Sequence, residues 1–305
     1  MTPIVECVPN FSEGRDQSVI ARIADAIGNV PGVAVLDRSL DTDHHRSVVT
    51  FAGDPGAIAE AGLAGVEQAV ALIDLNRHQG VHPRMGAADV VPFVPVSGVT
   101  LEACVHIAEK VGEQIWCRFH VPVYLYEAAA RRPDRVNLAN IRRGQFEKLR
   151  EEVQARTDRL PDFGGAELHP TAGACVVGAR KFLIAFNINL ATEDVSIARR
   201  IARKIRFSTG GLPYVKALGL PLASRNQAQV STNLIDFEQT SLSTVFEAVR
   251  AEAEGCGVEI ASSQIVGLVP RRAIEMAAGC DLRLENFHQD LILENRLAKL
   301  LGHTG

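Results

Sequence analysis

Apolar and polar positions alternate along this chain in two rhythms, a period of two and a period near 3.6, and the two rhythms succeed one another in a repeated order. Ile4–Val8 reads as a strand, and the turn Asn10–Asp16 leads into a helix. Ile20, Ile23, Ala24 and Ile27 mark that helix's core-facing stripe, with Asp16 as its N-cap. Val33–Leu36 and Ser47–Phe51 follow as short strands around a polar connection, Asp37–Arg46. Asp54-Pro55 then places a cap and a first-turn proline ahead of a helix running to about Ile73, and Val90–Val96 forms a fourth strand.

The second half repeats this grammar. Phe182–Ile188 reads as a strand, and Val195, Ala198, Ile201, Ala202 and Ile205 mark a helix. Tyr214–Leu220 and Gln227–Leu234 suit a strand pair. Thr240 or Ser241 caps a helix carrying Leu242, Val245, Phe246 and Val249. Val258–Val269 supplies the last strand, with a bend at Ser262-Ser263. Between the halves, Thr100–Phe119 looks helical, Val121–Tyr126 strand-like and Arg143–Arg156 helical. Asp158–Ala174, rich in Gly, Pro and Asp, reads as a linker, and Gln289–Leu301 as an amphipathic helix. The pattern predicts an α+β protein made of two duplicated β-α-β-β-α-β units. Each is a split-βαβ layer with its helices on one face of an antiparallel sheet, the first spanning residues 1–178 and the second 179–305.

A chain of 305 residues exceeds what one small core serves, which agrees with two units. The net charge of −4 gives no global attraction to nucleic acid or to a membrane surface. No apolar run approaches the ~18 residues of a membrane span, and the N-terminus lacks the basic-then-apolar pattern of a secretory leader. Cys7, Cys104, Cys117, Cys175, Cys256 and Cys280 lie far apart, with no Cys-x-x-Cys pair, as in a reducing compartment. The cytoplasm is the expected location.

The densest chemistry sits at one bend, Asn76–Asp89, which holds two histidines, two arginines, an aspartate and two glycines. His78 and His82 stand four apart, but Gly80 and Pro83 disfavour a helix that would align them on a metal, and no H-E-x-x-H occurs. No nucleophile elbow or phosphate-binding glycine loop is present. Acid–base work remains, because an imidazole near its ordinary pKa of ~6.5 both accepts and returns a proton at neutral pH. Pro83 holds His82 extended, and Arg84 and Asp89 are near enough in sequence to orient it or bind an anion. A solvated polar loop is the alternative. Asp41–Arg46 has the same two readings, a hairpin loop or a set of ligands. Gly173–Lys181 is either an anion-binding backbone segment or a flexible connection. Gln229, Ser231 and Asn233 would share one strand face, turned to water or to a ligand. The basic side of Arg199, Arg200, Arg203, Lys204 and Arg206 reads as solvated.

Five blocks together resemble the glutamate formiminotransferase family: Val5–Gly14, His78–Ala87, Val121–Tyr126, Gly178–Leu190 and Ala228–Leu234. They run in order over almost the whole chain. The resemblance implies two ferredoxin-like subdomains with a ligand cleft or tunnel between them, a homodimer, and a stand-alone transferase rather than one fused to a cyclodeaminase. It also implies transfer of the formimino group from N-formimino-L-glutamate to N5 of tetrahydrofolate, the co-substrate, with no metal. His82, in the His-Pro-Arg-Met-Gly motif, is then the catalytic base and acid. Substrate or folate contacts are implied at His45, Arg46, Arg84, Gly86, Asp89, Phe163, Gly164, His169, Gly173, Ala174, Gly178, Arg180, Lys181, Asn187, Gln229, Ser231 and Asn233. Family members commonly carry asparagine where His45 stands and proline where Gly165 stands.

Chemically, the protonated amidine of the donor asks for a carboxylate, for which Asp37, Asp41 or Asp89 is expected. The two glutamate carboxylates ask for cations, with Arg46, Arg84 and Arg180 expected, and Lys181 is expected to guide the folate tail. Two alternatives stay open, a formyltransferase using N-formylglutamate and a folate-binding protein without chemistry. A separately encoded cyclodeaminase is a further expected partner.

Overall fold

The computed structural model describes residues 3–42, 44–80, 83–222, 225–285 and 287–301. The chain divides into two compact units, residues 1–180 and 181–305. Unit 1 runs β1 (Ile4–Cys7), β2 (Asn10–Phe11), α1 (Gln17–Gly28), β3 (Val33–Asp41), β4 (Arg46–Gly53), α2 (Pro55–Leu72) and β5 (Ala88–Ser97). It continues with α3 (Leu101–Phe119), β6 (Val123–Glu127), α4 (Leu138–Ile141), α5 (Gln145–Ala155) and β7 (Cys175–Ala179). The caps read from the sequence are in place. Asp16 accepts from Ser18 N at 2.8 Å, and Asp54 accepts from Gly56 N and Ala57 N at 2.9 and 3.0 Å.

The strands of this β-α-β-β-α-β unit are antiparallel, in the order β3-β4-(β1, β2)-β5. Cys7, Phe51, Val91 and Phe93 point from them into a core closed by Ile20, Ile23 and Ile27 of α1 and Ile58, Leu63 and Val66 of α2. The sheet is wider than the expected four antiparallel strands. β7 pairs in parallel with β5 on one side and with β6 on the other. The segment Cys175-Val-Val-Gly-Ala179 is buried throughout, and a strand buried on both faces shows no alternation to read. Its glycine pointed to flexibility instead. A second, smaller core lies on the other face of this edge, where Tyr124, Tyr126, Val90 and Val176 meet Ile141 of α4 and Leu149 of α5.

The expected linker Asp158–Ala174 belongs to unit 1. Phe163 exchanges backbone hydrogen bonds with Val123, Leu75 N donates to Thr171 O, and Ala87 N donates to Ala172 O. The β3–β4 hairpin is also longer than the apolar pattern showed, with paired residues reaching Asp41 and Arg46. Backbone pairing continues there without apolar side chains to signal it.

Unit 2 runs β8 (Ile184–Leu190), α6 (Val195–Ile205), β9 (Val215–Leu222), β10 (Gln227–Leu234), α7 (Leu242–Glu254) and β11 (Ile260–Val266), then α8 (Arg271–Glu275) and α9 (Leu293–Leu301). Its four strands are antiparallel in the order β11-β8-β10-β9, the same order as the first four-strand set of unit 1. Ser241, not Thr240, caps α7, accepting from Thr244 N at 3.2 Å. The bend expected at Ser262-Ser263 is a bulge between Ile260 and Ser262. Ile184, Phe186, Ile188 and Leu190 face a core made with α6 and α7. The duplicated α+β architecture is as the sequence predicts.

Candidate active site

In unit 1 the residues that alternate with the α1–α2 core point to the opposite face of the sheet. They include Glu6 on β1, Asn10 on β2, Asp37 on β3, Arg46 and Thr50 on β4, Tyr126 on β6 and Gly178 on β7. Glycine is needed at 178, because a Cβ there would stand 2.4 Å from Tyr126 Cδ1. The Tyr126 ring lies across the bare backbone. Burial pushes the Tyr126 hydroxyl up to about 12, while a hydrogen bond with Arg180 and the charges of Arg180 and Arg142 work in the other direction. Arg46 lies within Coulombic reach of Arg142, Asp89 and Asp41. Burial and then the neighbouring Arg142 charge hold its guanidinium below the usual arginine value. Asp89 is buried, accepting from Met85 N at 2.8 Å and pairing with Arg142. Gly14 lets the chain pass β4, where a Cβ would lie 2.4 Å from Arg46 N.

Next to this face sits a closed polar network. The His45 and His78 rings stack at 4.2 Å and 9°. His78 Nε2 meets the His45 carbonyl at 2.8 Å, and His78 Nδ1 accepts from Arg84 Nε at 3.0 Å. Since Nδ1 faces an obligate donor, the proton resides on Nε2 and the ring is neutral. Burial, above all, depresses the His78 pKa and keeps it so. Both ring nitrogens are engaged, which removes His78 as a metal ligand. Among the described residues no group of three His, Cys, Asp or Glu could hold a metal ion.

Arg84, one of the expected substrate cations, is held by acceptors of the protein itself. Its Nη atoms grip both Glu147 oxygens at 2.9 and 2.8 Å, and its remaining donors meet His78 O at 3.3 Å and Gln145 at 3.5 Å. All its N–H groups are occupied within the protein. His45 has φ 51° and places Nδ1 2.9 Å from Gln79 O and Nε2 3.1 Å from Glu13. Gly80 fits beneath this turn, where a Cβ would stand 2.6 Å from His44 O. The network therefore anchors both flanks of Val81-His82, which lie outside the described residues.

Several expected contact residues also shape the backbone. Gly86 and Gly173 pair as a bridge, and a Cβ on either would strike a carbonyl at 2.0–2.2 Å. Ala174 N donates to Met85 O, and His169 Nδ1 accepts from Ala172 N at 3.0 Å, closing the turn to Gly173. Phe163 packs under Gly112 and the Arg131 guanidinium, and Gly164 follows it with φ 122°. Gly86, His169, Gly173 and Ala174 are brought together by these backbone contacts.

In unit 2, β8 and β10 place Asn187 beside Ser231 and Asn189 beside Gln229, with Asn233 next along the same face. Gln229 Nε2 donates to Asn189 Oδ1 at 2.9 Å, and Asn189 Nδ2 donates to Ser262 Oγ at 3.0 Å. Asn187 Oδ1 is buried without a hydrogen-bond partner. Neither Asn189 nor Ser262 is among the contacts expected from the sequence, although Asn189 shares the period of two with Asn187. Lys181 Nζ lies 2.5 Å from Asp236, which raises its pKa.

Both units match family models, residues 4–180 the formiminotransferase domain, N-terminal subdomain, and residues 185–300 the formiminotransferase domain. The chain belongs to this family. It is 46% identical to the glutamate formimidoyltransferase of Streptococcus pyogenes serotype M1, over 97% of this chain and 99% of that one. It is 44% identical to that of Thermoplasma acidophilum, over 97% and 98%. With the formimidoyltransferase-cyclodeaminase of Mus musculus it shares 45% identity over 97% of this chain and 57% of the mouse protein.

Proposed function

We propose that this chain is a glutamate formimidoyltransferase, moving the formimino group of N-formimino-L-glutamate to N5 of tetrahydrofolate. The observation that carries the proposal is end-to-end similarity, at 46% identity, to a protein of that name. The charge pattern of the unit 1 sheet face supports it, since a dicarboxylate with a cationic amidine needs arginines and one carboxylate close together.

The amidinium carbon is electrophilic without a metal. N5 attacks it, forming the N5–C bond and a tetrahedral carbon bearing three nitrogens. His82 takes the proton from N5 and delivers it to the glutamate nitrogen, whose bond to that carbon then breaks. Arg46 and Arg180 receive donor carboxylates. Arg84 acts at one remove, fixing the described residues on either side of Val81-His82 through Glu147 and His78. Asp89 and Asp41 are committed to Arg142 and His44. Asp37, whose carboxylate makes no hydrogen bond or ion pair among the described residues, is the amidinium's partner. The amide face of unit 2 suits the donor–acceptor edge of a pterin, with Asn187 Oδ1 supplying an acceptor. No described helix is long and apolar enough to cross a membrane. A cytoplasmic homodimer that hands its product to a separately encoded cyclodeaminase completes the proposal.

The test is turnover of purified chain with tetrahydrofolate and either N-formimino-L-glutamate or N-formyl-L-glutamate. Formation of 5-formiminotetrahydrofolate from the first donor is expected. Turnover of the formyl donor alone would overturn the assignment.

A further inference from the structure

Arg142 ends α4, and neither its position nor its neighbours in sequence mark it out. One of its Nη atoms pairs with Asp89 Oδ2, and the other Asp89 oxygen is already taken by Met85 N. The Arg142 side chain is only 14% exposed, and its Nε is sealed from solvent without a hydrogen-bond partner. A guanidinium has five N–H groups and tolerates burial only when they are satisfied. The charge of Arg142 reaches both Arg46 and Tyr126. Arg46 and Arg142 thus share Asp89 as a neighbouring charge, and Arg142 pairs with it directly.

We infer that Arg142 is a binding residue for the donor, the part of its guanidinium left exposed beside Asp89, together with Arg46, taking one carboxylate of a glutamate-derived dicarboxylate. Asp89 fixes the plane of the Arg142 guanidinium, so that its remaining edge is presented in one orientation. The ligand class is a short dicarboxylate, selected over the corresponding monocarboxylate. This inference rests on the formimidoyltransferase reading for the identity of the donor, but not for the existence of the anion site.

The experiment compares the parental chain with Arg142→Gln, Arg142→Lys and the double variant Asp89→Asn/Arg142→Gln, which leaves no stranded carboxylate. Thermal melts establish which variants fold. Glutarate and butyrate are titrated calorimetrically, and KM is measured for both substrates. Glutarate should bind the parental chain and butyrate should not compete. Removing the guanidinium should weaken glutarate and raise the donor KM by about 10- to 100-fold, the scale of one lost charged hydrogen-bond pair. The KM for tetrahydrofolate should hold, and lysine should recover part of the loss. Absence of glutarate binding, or a folded variant lacking Arg142 whose glutarate affinity stays within twofold, overturns the inference. If instead the parental chain fails to turn over formiminoglutamate while glutarate binding still depends on Arg142, the functional proposal falls and the anion site stands.

Discussion

His78 and Arg84 form a fixed couple: Arg84 Nε donates to His78 Nδ1 at 3.0 Å, and this single bond decides which nitrogen of a buried imidazole carries its proton. A protonated His78 would set a cation's N–H against a cation's N–H. The couple therefore works only while the ring is neutral.

A pH dependence of stability follows. The pKa of His78 is lowered in the folded protein from its ordinary value of 6.5, chiefly by burial. Below about 6.5 the unfolded chain gains a proton that the folded chain refuses, so stability falls as pH drops through that value. His169, lowered by burial and by His120, adds to the same limb. Glu147 is held below its ordinary 4.5, the Arg84 hydrogen bond being the main cause. Its contribution persists above about 4.5 and is lost only as pH falls through its lower folded value. Urea unfolding from pH 7.5 to 4 should show the first loss beginning near 6.5. His78→Gln keeps a donor and an acceptor but has no proton to gain, and it should flatten that limb while leaving the slope due to His169.

Removing the cation itself tests the anchoring role. Arg84→Gln strands a buried His78 acceptor and costs roughly 1–3 kcal/mol in chemical denaturation. Glu147→Gln, whose side chain is 63% exposed, should cost at most about 1 kcal/mol. If Arg84 acts on the reaction through the residues that flank His82, Arg84→Gln lowers kcat with little change in the donor KM. A raised donor KM at constant kcat would instead return Arg84 to the substrate.

His82→Ala should lose turnover by about 10²- to 10⁴-fold, the usual span for a positioned acid–base group. Tetrahydrofolate affinity, read by fluorescence quenching, should stay within a few fold. Turnover equal to that of the parental chain would remove the imidazole from the mechanism.

The orphaned acceptor on β8 makes a prediction of opposite signs. Asn187→Leu removes a buried, unpartnered carbonyl and should leave stability unchanged or raise it by about 1 kcal/mol. The same change should weaken reduced-folate binding by roughly tenfold if Oδ1 meets the pterin. A loss of stability together with unchanged folate affinity would make the residue purely structural.

Much of this architecture was readable because its signals are local. Ile20, Ile23, Ala24 and Ile27 mark α1 by spacing alone, and Asp54-Pro55 marks the start of α2. The polar face of β10 followed from a period of two. What escaped depends on contacts far apart in sequence. Nothing around Glu147 says that it meets Arg84 across 63 residues, and nothing near Arg142 says that it meets Asp89 across 53. Gly86 sits in a suggestive motif, but the bridge that joins it to Gly173 links distant parts of the chain. β7 was hidden because complete burial erases the alternation that identifies a strand.

The location of β7 also constrains how the protein is made. It lies between β5 and β6 in the sheet although it follows both in the chain. On the ribosome, β6 therefore has only the short bridge to Phe163, and no neighbouring strand, until Cys175–Ala179 has emerged from the exit tunnel. The first half of the molecule must wait, with one flank of its sheet unsealed, for a segment synthesised about fifty residues after β6, a window in which a chaperone or a neighbouring nascent chain meets bare strand edge.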